Sequence, residues 1–204
     1  MNLSDDARAL IIRFEVGGGR PYYERFLEAP TWPAGASGVT IGVGYDLGYN
    51  TAAQVSNDWS SSLGKTVVDR LSACCGYKGP AARDRIGTVH DIRVPWEAAL
   101  SVFESRTVAR YWAMTLKAYP GADALKPNAQ GALLSLVFNR GTSMSPDDPK
   151  RAEMRSIRPL VQAADYRGIA DQIRQMKRIW VGTKIEDGMN RRRDAEAGLI
   201  MSCA

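Results

Sequence analysis

The sequence predicts an α+β fold, mainly helical, with a small antiparallel β-sheet lobe near the N-terminus. Two observations predict it. Over most of the 204 residues, apolar side chains recur at helical spacing between turn signals. One early stretch, Pro21 to Gly48, instead changes to aromatics, prolines and glycines and carries a short run that alternates at strand period. With 45% apolar residues, the length suits one domain, 1–204, pinched into a β-containing lobe at about 15–60 and a helical lobe made of the remainder.

Ser4 followed by Asp5 and Asp6 starts the first helix, because the hydroxyl caps free amides and the acids suit the positive end of the dipole. Ala7, Leu10, Ile11 and Phe14 form one apolar stripe, and Gly17, Gly18 and Gly19 stop it. Glu15 therefore lies on the last turn. The helix dipole disfavours a carboxylate there, and Phe14 and Val16 partly desolvate it, so both effects favour the protonated acid. Val39 to Tyr45 alternates between turn formers and is read as strand in a small sheet. Helices are expected after Thr51, through Thr66 to Cys74, and from Pro95 to about Tyr119, the last carrying Trp96, Leu100, Phe103, Thr107, Tyr111 and Met114 as its stripe. Asn128 to Arg140 is apolar on nearly every side and ends at Gly141, which marks it as a buried central helix. Ser143 to Pro149 reads as loop, and shorter helices follow at 152–164, 166–176 and 189–202.

Composition narrows the chemistry. Lys and Arg outnumber Asp and Glu by 27 to 22, a net charge of +5, which favours association with a polyanion. The basic residues are dispersed and lack a nucleic-acid motif or aromatic interleaving, so nucleic acid is not expected as a partner. No run approaches the length of a membrane span, and residues 1–15 lack the layout of a secretory signal. The expectation is a soluble, monomeric chain made in the cytoplasm, without stable membrane insertion, that reaches any external target by release or delivery. Cys74, Cys75 and Cys203 are odd in number and imply reduced thiols. His90 is the single histidine, which removes the common nucleophilic triads unless it serves, and no Cys/His spacing suits zinc. Neither a metal nor an organic cofactor is expected.

Glu15, Glu24, Glu28, Thr40 and Asp46 crowd into the sheet region. Two carboxyl groups suit glycoside hydrolysis, in which one protonates the leaving oxygen and the other attacks the sugar or positions a water. Phe14-Glu15 and the run from Gly38 to Gly48, GVTIGVGYDLG, resemble the phage-type lysozymes, especially their pesticin-like branch. The segment 132–141, ALLSLVFNRG, is similar to that family's central helix, and 188–196, GMNRRRDAE, to its closing stretch.

The resemblance implies a lysozyme-like fold and a muramidase that cleaves the β-1,4 bond between N-acetylmuramic acid and N-acetylglucosamine, lysing bacterial cell walls. It implies Glu15 as general acid, Thr40 as holder of the attacking water and Asp46, six residues after Thr40, as second acid. Glu24 is the alternative second acid because it meets the nine-residue spacing of the simpler phage pattern, but Thr40 then lies too late. Asp46 is favoured because it shares a strand with Thr40. Tyr45 and Asn139 are candidate substrate contacts, while Arg192 and Arg193 are read as structural anchors. Peptidoglycan is the implied substrate, and an immunity or inhibitor protein the further candidate partner. A lytic transglycosylase, using one glutamate and no water, and a wall-binding module without turnover stay open as alternatives.

Overall fold

Ser4 caps the first helix as its sequence requires: its Oγ accepts from Ala7 N at 3.2 Å, and α1 runs over Asp5–Val16 with Asp5 and Asp6 in the first turn. The computed structural model describes residues 3–17 and 19–204. Gly17 and Gly19 take positive φ values of 72° and 68°, a conformation that ends a helix at little cost only for glycine; Gly18 lies outside the described residues.

The chain divides into two compact units, one made of Met1–Phe14 with Ala109–Ala204, the other of Glu15–Val108. The second unit reaches well past the β-lobe boundary expected near residue 60. It holds α2 (Arg20–Phe26), the antiparallel pair β1 (Thr40–Ile41) and β2 (Tyr45–Asp46), α3 (Ala52–Leu63), α4 (Lys65–Ser72), α5 (Pro80–Arg83) and α6 (Trp96–Val102). Its helices join the hairpin because Gly42 presses on the ring of Trp59 from α3, with the Ala99 side chain of α6 beside it. Thr51 caps α3 in a reciprocal capping box with Gln54. Val39 to Tyr45 is not one strand. Glycines at 42 and 44, both with positive φ, fold the run into a hairpin whose strands are two residues long. The helix α2 is an addition to the expected elements; Pro21 in its first turn supplied a start that the surrounding glycines and aromatics concealed.

The predicted helix from Pro95 to Tyr119 forms as α6, a π-helical turn at Phe103–Thr107, and α7 (Val108–Ala118). The first unit continues with α8 (Pro127–Arg140), α9 (Ala152–Gln162), α10 (Tyr166–Gln175) and α11 (Glu186–Met201). Ala132, Leu133, Leu136 and Val137 of α8 are buried against Met154 and Ile157 of α9, Ile169 and Ile173 of α10, and Ala197 and Ile200 of α11. Gly131 is required by α1: a Cβ built there falls 2.1 Å from the Cβ of Ala7. The described structure is thus mostly helical with one two-stranded antiparallel sheet, an α+β architecture. No described helix is long and apolar enough to cross a membrane.

Candidate functional site

The hairpin brings Thr40 and Asp46 together. They are direct partners in the β1–β2 register, so their side chains leave the same face with Cβ atoms about 5 Å apart. On its other edge Thr40 forms an isolated bridge with Thr31, through N–H···O bonds of 3.0 and 2.8 Å, which fixes its backbone from both sides. The Thr40 hydroxyl reaches the Gly38 carbonyl only at 3.4 Å, a weak bond that leaves it able to reorient toward a ligand.

Asp46 is half-buried and tightly held. Its Oδ1 accepts from Gly38 N at 3.0 Å and Gly48 N at 2.8 Å, while Oδ2 shares the Gly38 donor at 3.1 Å. This packing demands glycine at position 38, where a Cβ would lie 2.3 Å from both Asp46 Oδ1 and Gly48 N. The same carboxylate caps the 3-10 turn Leu47–Tyr49. Burial raises the Asp46 carboxyl above its ordinary range, and it outweighs the two backbone bonds and the nearby Lys78 charge, which act the other way.

Glu15 occupies the last turn of α1, half-buried between half-buried Phe14 and fully buried Val16, and begins the unit that contains the hairpin. The ring of Tyr22 closes over Gly17, 3.4 Å from where a Cβ would stand. Arg20, one of the cations near Glu15 in sequence, is taken by Glu24 at 2.7 Å and Glu97 at 2.8 Å.

That pairing also defines Glu24: it is exposed on α2 in an i,i+4 ion pair with Arg20. Glu28 is half-buried and uses its backbone carbonyl to accept from Val94 N. Tyr45 is corrected from substrate contact to core residue. It is 3% exposed, its hydroxyl donates to Asp58 Oδ2 at 2.8 Å, and its ring packs edge-on against Trp59. Strand alternation explains this, since Tyr45 and Asp46 must face opposite sides.

Asn139 belongs to the other unit, where its Oδ1 accepts from Arg193 Nη2 at 3.2 Å. Arg193 and Arg192 are almost wholly buried and converge on Glu196, at 2.9 and 3.2 Å, with Ser135 Oγ donating to the same carboxylate at 2.7 Å. Burial and the neighbouring Arg192 lower the Arg193 guanidinium, against the pull of Glu196. Arg192 also lies over the Phe14 ring at 5.6 Å, consistent with an anchoring role for this pair within the unit.

The family described as a domain of unknown function (DUF8812) matches residues 12–193, from inside α1 to inside α11. The chain belongs to that family. A search of curated proteins found no match. The span matched to DUF8812 includes Glu15, the whole hairpin and both buried arginines, and stops short of Glu196.

Sequence reasoning missed Gly38 as the partner of Asp46, although a glycine two residues before a strand threonine is the kind of signal that marks close backbone approach. It also missed Lys78, whose charge reaches Asp46 from a segment far along the chain. His90 is exposed at a turn, its Nδ1 2.8 Å from Gly87 O. Among the described residues, no group of three or more His, Cys, Asp or Glu side chains is placed to hold a metal ion. A concavity on α6 and the π turn is lined by Glu97, Leu100, Ser101, Glu104 and Ser105 and by none of the hairpin residues.

Proposed function

We propose that this chain is a peptidoglycan hydrolase with a lysozyme-like fold, cutting the β-1,4 bond between N-acetylmuramic acid and N-acetylglucosamine. Glu15 acts as general acid and gives a proton to the glycosidic oxygen. Positive charge then develops on the sugar, and ionised Asp46 stabilises it. The Thr40 hydroxyl holds a water on the opposite face of the ring, and as the water oxygen bonds to the anomeric carbon, Asp46 takes its proton, so the product anomer is inverted. The observation that carries the reading is the Thr40–Asp46 register: a hydroxyl and a carboxylate side by side on a ribbon whose β1 edge is bridged by Thr31, in the unit that Glu15 begins. The net positive charge suits an anionic bacterial envelope.

The test is digestion of purified peptidoglycan by the wild type, Glu15→Gln and Asp46→Asn, with mass analysis of the fragments. The expected result is reducing-end muropeptides from the wild type, with losses of about 10²-fold or more in each variant. Full activity of Glu15→Gln removes the proposal. One observation favours a second reading: Asp46 already satisfies two backbone donors, as a purely structural aspartate would. In that case Glu15 works alone as a lytic transglycosylase, Asp46→Asn keeps its rate, and the fragments end in anhydro-sugars.

A further inference from the structure

Beside Asp46 the surface carries two exposed aromatic rings, each with a cation over it, and one of those cations, Lys78, also lends its charge to Asp46. Tyr49 is 63% exposed, yet its hydroxyl donates to Ala36 O at 3.3 Å and Lys78 Nζ stands 3.6 Å from its ring centroid. Tyr77 is 40% exposed, with the Arg85 guanidinium 3.4 Å from its centroid. Among the described residues neither Lys78 nor Arg85 forms an ion pair, whereas Arg20, Lys65 and Arg70 all do.

The strip is built onto the hairpin rather than lying loose. Gly76 N donates to Leu47 O at 3.2 Å and Gly79 N to Ser37 O at 2.9 Å, so residues 76–79 are sewn to both sides of the Asp46 turn. Gly48 lets this segment come close: a Cβ there would meet Tyr77 O at 2.7 Å and Lys78 Cγ at 3.0 Å. Tyr49, in turn, belongs to the 3-10 turn that Asp46 caps. Exposed aromatics occur singly on most surfaces and mean little. Two on segments bonded to each other, each with a cation outside any ion pair over its ring, Arg85 steadied by the Ala73 carbonyl at 3.3 Å, suit a ligand with a flat apolar face and a nearby carboxylate.

We infer that Tyr49, Lys78, Tyr77 and Arg85 form a recognition strip for the carboxylate-bearing part of a glycan strand, with the rings stacking on sugar faces and the two cations pairing with carboxylates of the lactyl-linked peptide. This rests on the glycan-hydrolase reading and deepens it. The strip makes the site selective for a peptide-substituted, anionic glycan over a neutral polymer of N-acetylglucosamine.

The experiment uses full-length Glu15→Gln as parent, so that cleavage does not disturb binding. Affinity is measured for soluble uncross-linked peptidoglycan strands and for an N-acetylglucosamine oligomer of similar length, at two salt concentrations. The double variant Lys78→Ala/Arg85→Ala is expected to weaken binding of the anionic strands about fivefold, reduce its salt dependence and leave the neutral oligomer unchanged. Tyr49→Ala is expected to weaken both ligands about fivefold. Lys78→Glu, an exposed charge reversal that keeps the fold, is expected to weaken the anionic strands further. A parent that binds the strands while the double variant and Lys78→Glu bind them equally well overturns this inference alone. A parent that binds neither ligand overturns it together with the glycan reading.

Discussion

Asp46 offers a comparison that separates a chemical role from a structural one. Replacing it with alanine orphans the Gly38 and Gly48 amides, both on buried residues. At about 1–2 kcal/mol for each unsatisfied donor, the loss is about 2–4 kcal/mol, or a fall in Tm on the order of 10 °C for a chain of this size. Asparagine behaves differently. Its single oxygen in the Oδ1 position keeps both short bonds, while the amide nitrogen in the Oδ2 position turns the shared 3.1 Å contact with Gly38 N into a mild donor-to-donor opposition. It also removes a charge that burial opposes. Because the folded state raises the Asp46 carboxyl above its unfolded value, the folded chain holds that proton to higher pH than the unfolded chain does. The contribution of this group therefore favours folding at low pH and is lost as pH rises through the raised value. Asp46→Asn should be as stable as the wild type at neutral pH, within about 1 kcal/mol, and less pH-dependent across the acidic range. Thermal melts of the wild type and both variants at neutral and acidic pH measure this, alongside peptidoglycan digestion. Wild-type stability with lost activity marks an aspartate kept for chemistry. An Asp46→Asn protein that melts as early as Asp46→Ala refutes the reasoning and makes the charge itself the structural element.

The remaining predictions concern packing. Gly38→Ala forces a Cβ into contact with Asp46 Oδ1 and Gly48 N, so it should lose activity and lower Tm at least as far as Asp46→Ala. Gly131→Ala drives a methyl into Ala7 where α1 crosses α8; a loss of about 1–3 kcal/mol in urea unfolding is expected, reversed in part by a second change, Ala7→Gly. Glu196→Ala leaves Arg192 and Arg193 buried without their shared carboxylate and should cost about 3–5 kcal/mol, read by chemical denaturation, with Glu196→Gln less damaging.

Most of the helices were legible because each wrote its own boundary into the chain. Ser4 before two acids, Thr51 three residues before Gln54, and Gly141 after an apolar run are local signals, and the structure uses each of them. The hairpin was legible only in part. Its alternating residues read equally well as one strand, and the pairing of Thr40 with Asp46 depends on how two glycines turn the backbone, which periodicity does not encode. The burial of Tyr45 follows from the side that Asp46 takes, so it became readable only with the register. Arg20 hid α2, because an arginine and a proline after glycines look like loop until Glu24 and Glu97 close ion pairs around them. The strip at Tyr49 and Lys78 left no trace in the sequence at all, being assembled by backbone bonds between segments far apart in the chain.

Asp46 and the Tyr49 turn depend on one knot of amides at Gly38 and Gly48, so a single local opening releases both. Hydrogen exchange at those two amides should therefore proceed at a common rate. Warming should abolish function at the temperature where that knot loosens, while the helical remainder still holds its ellipticity.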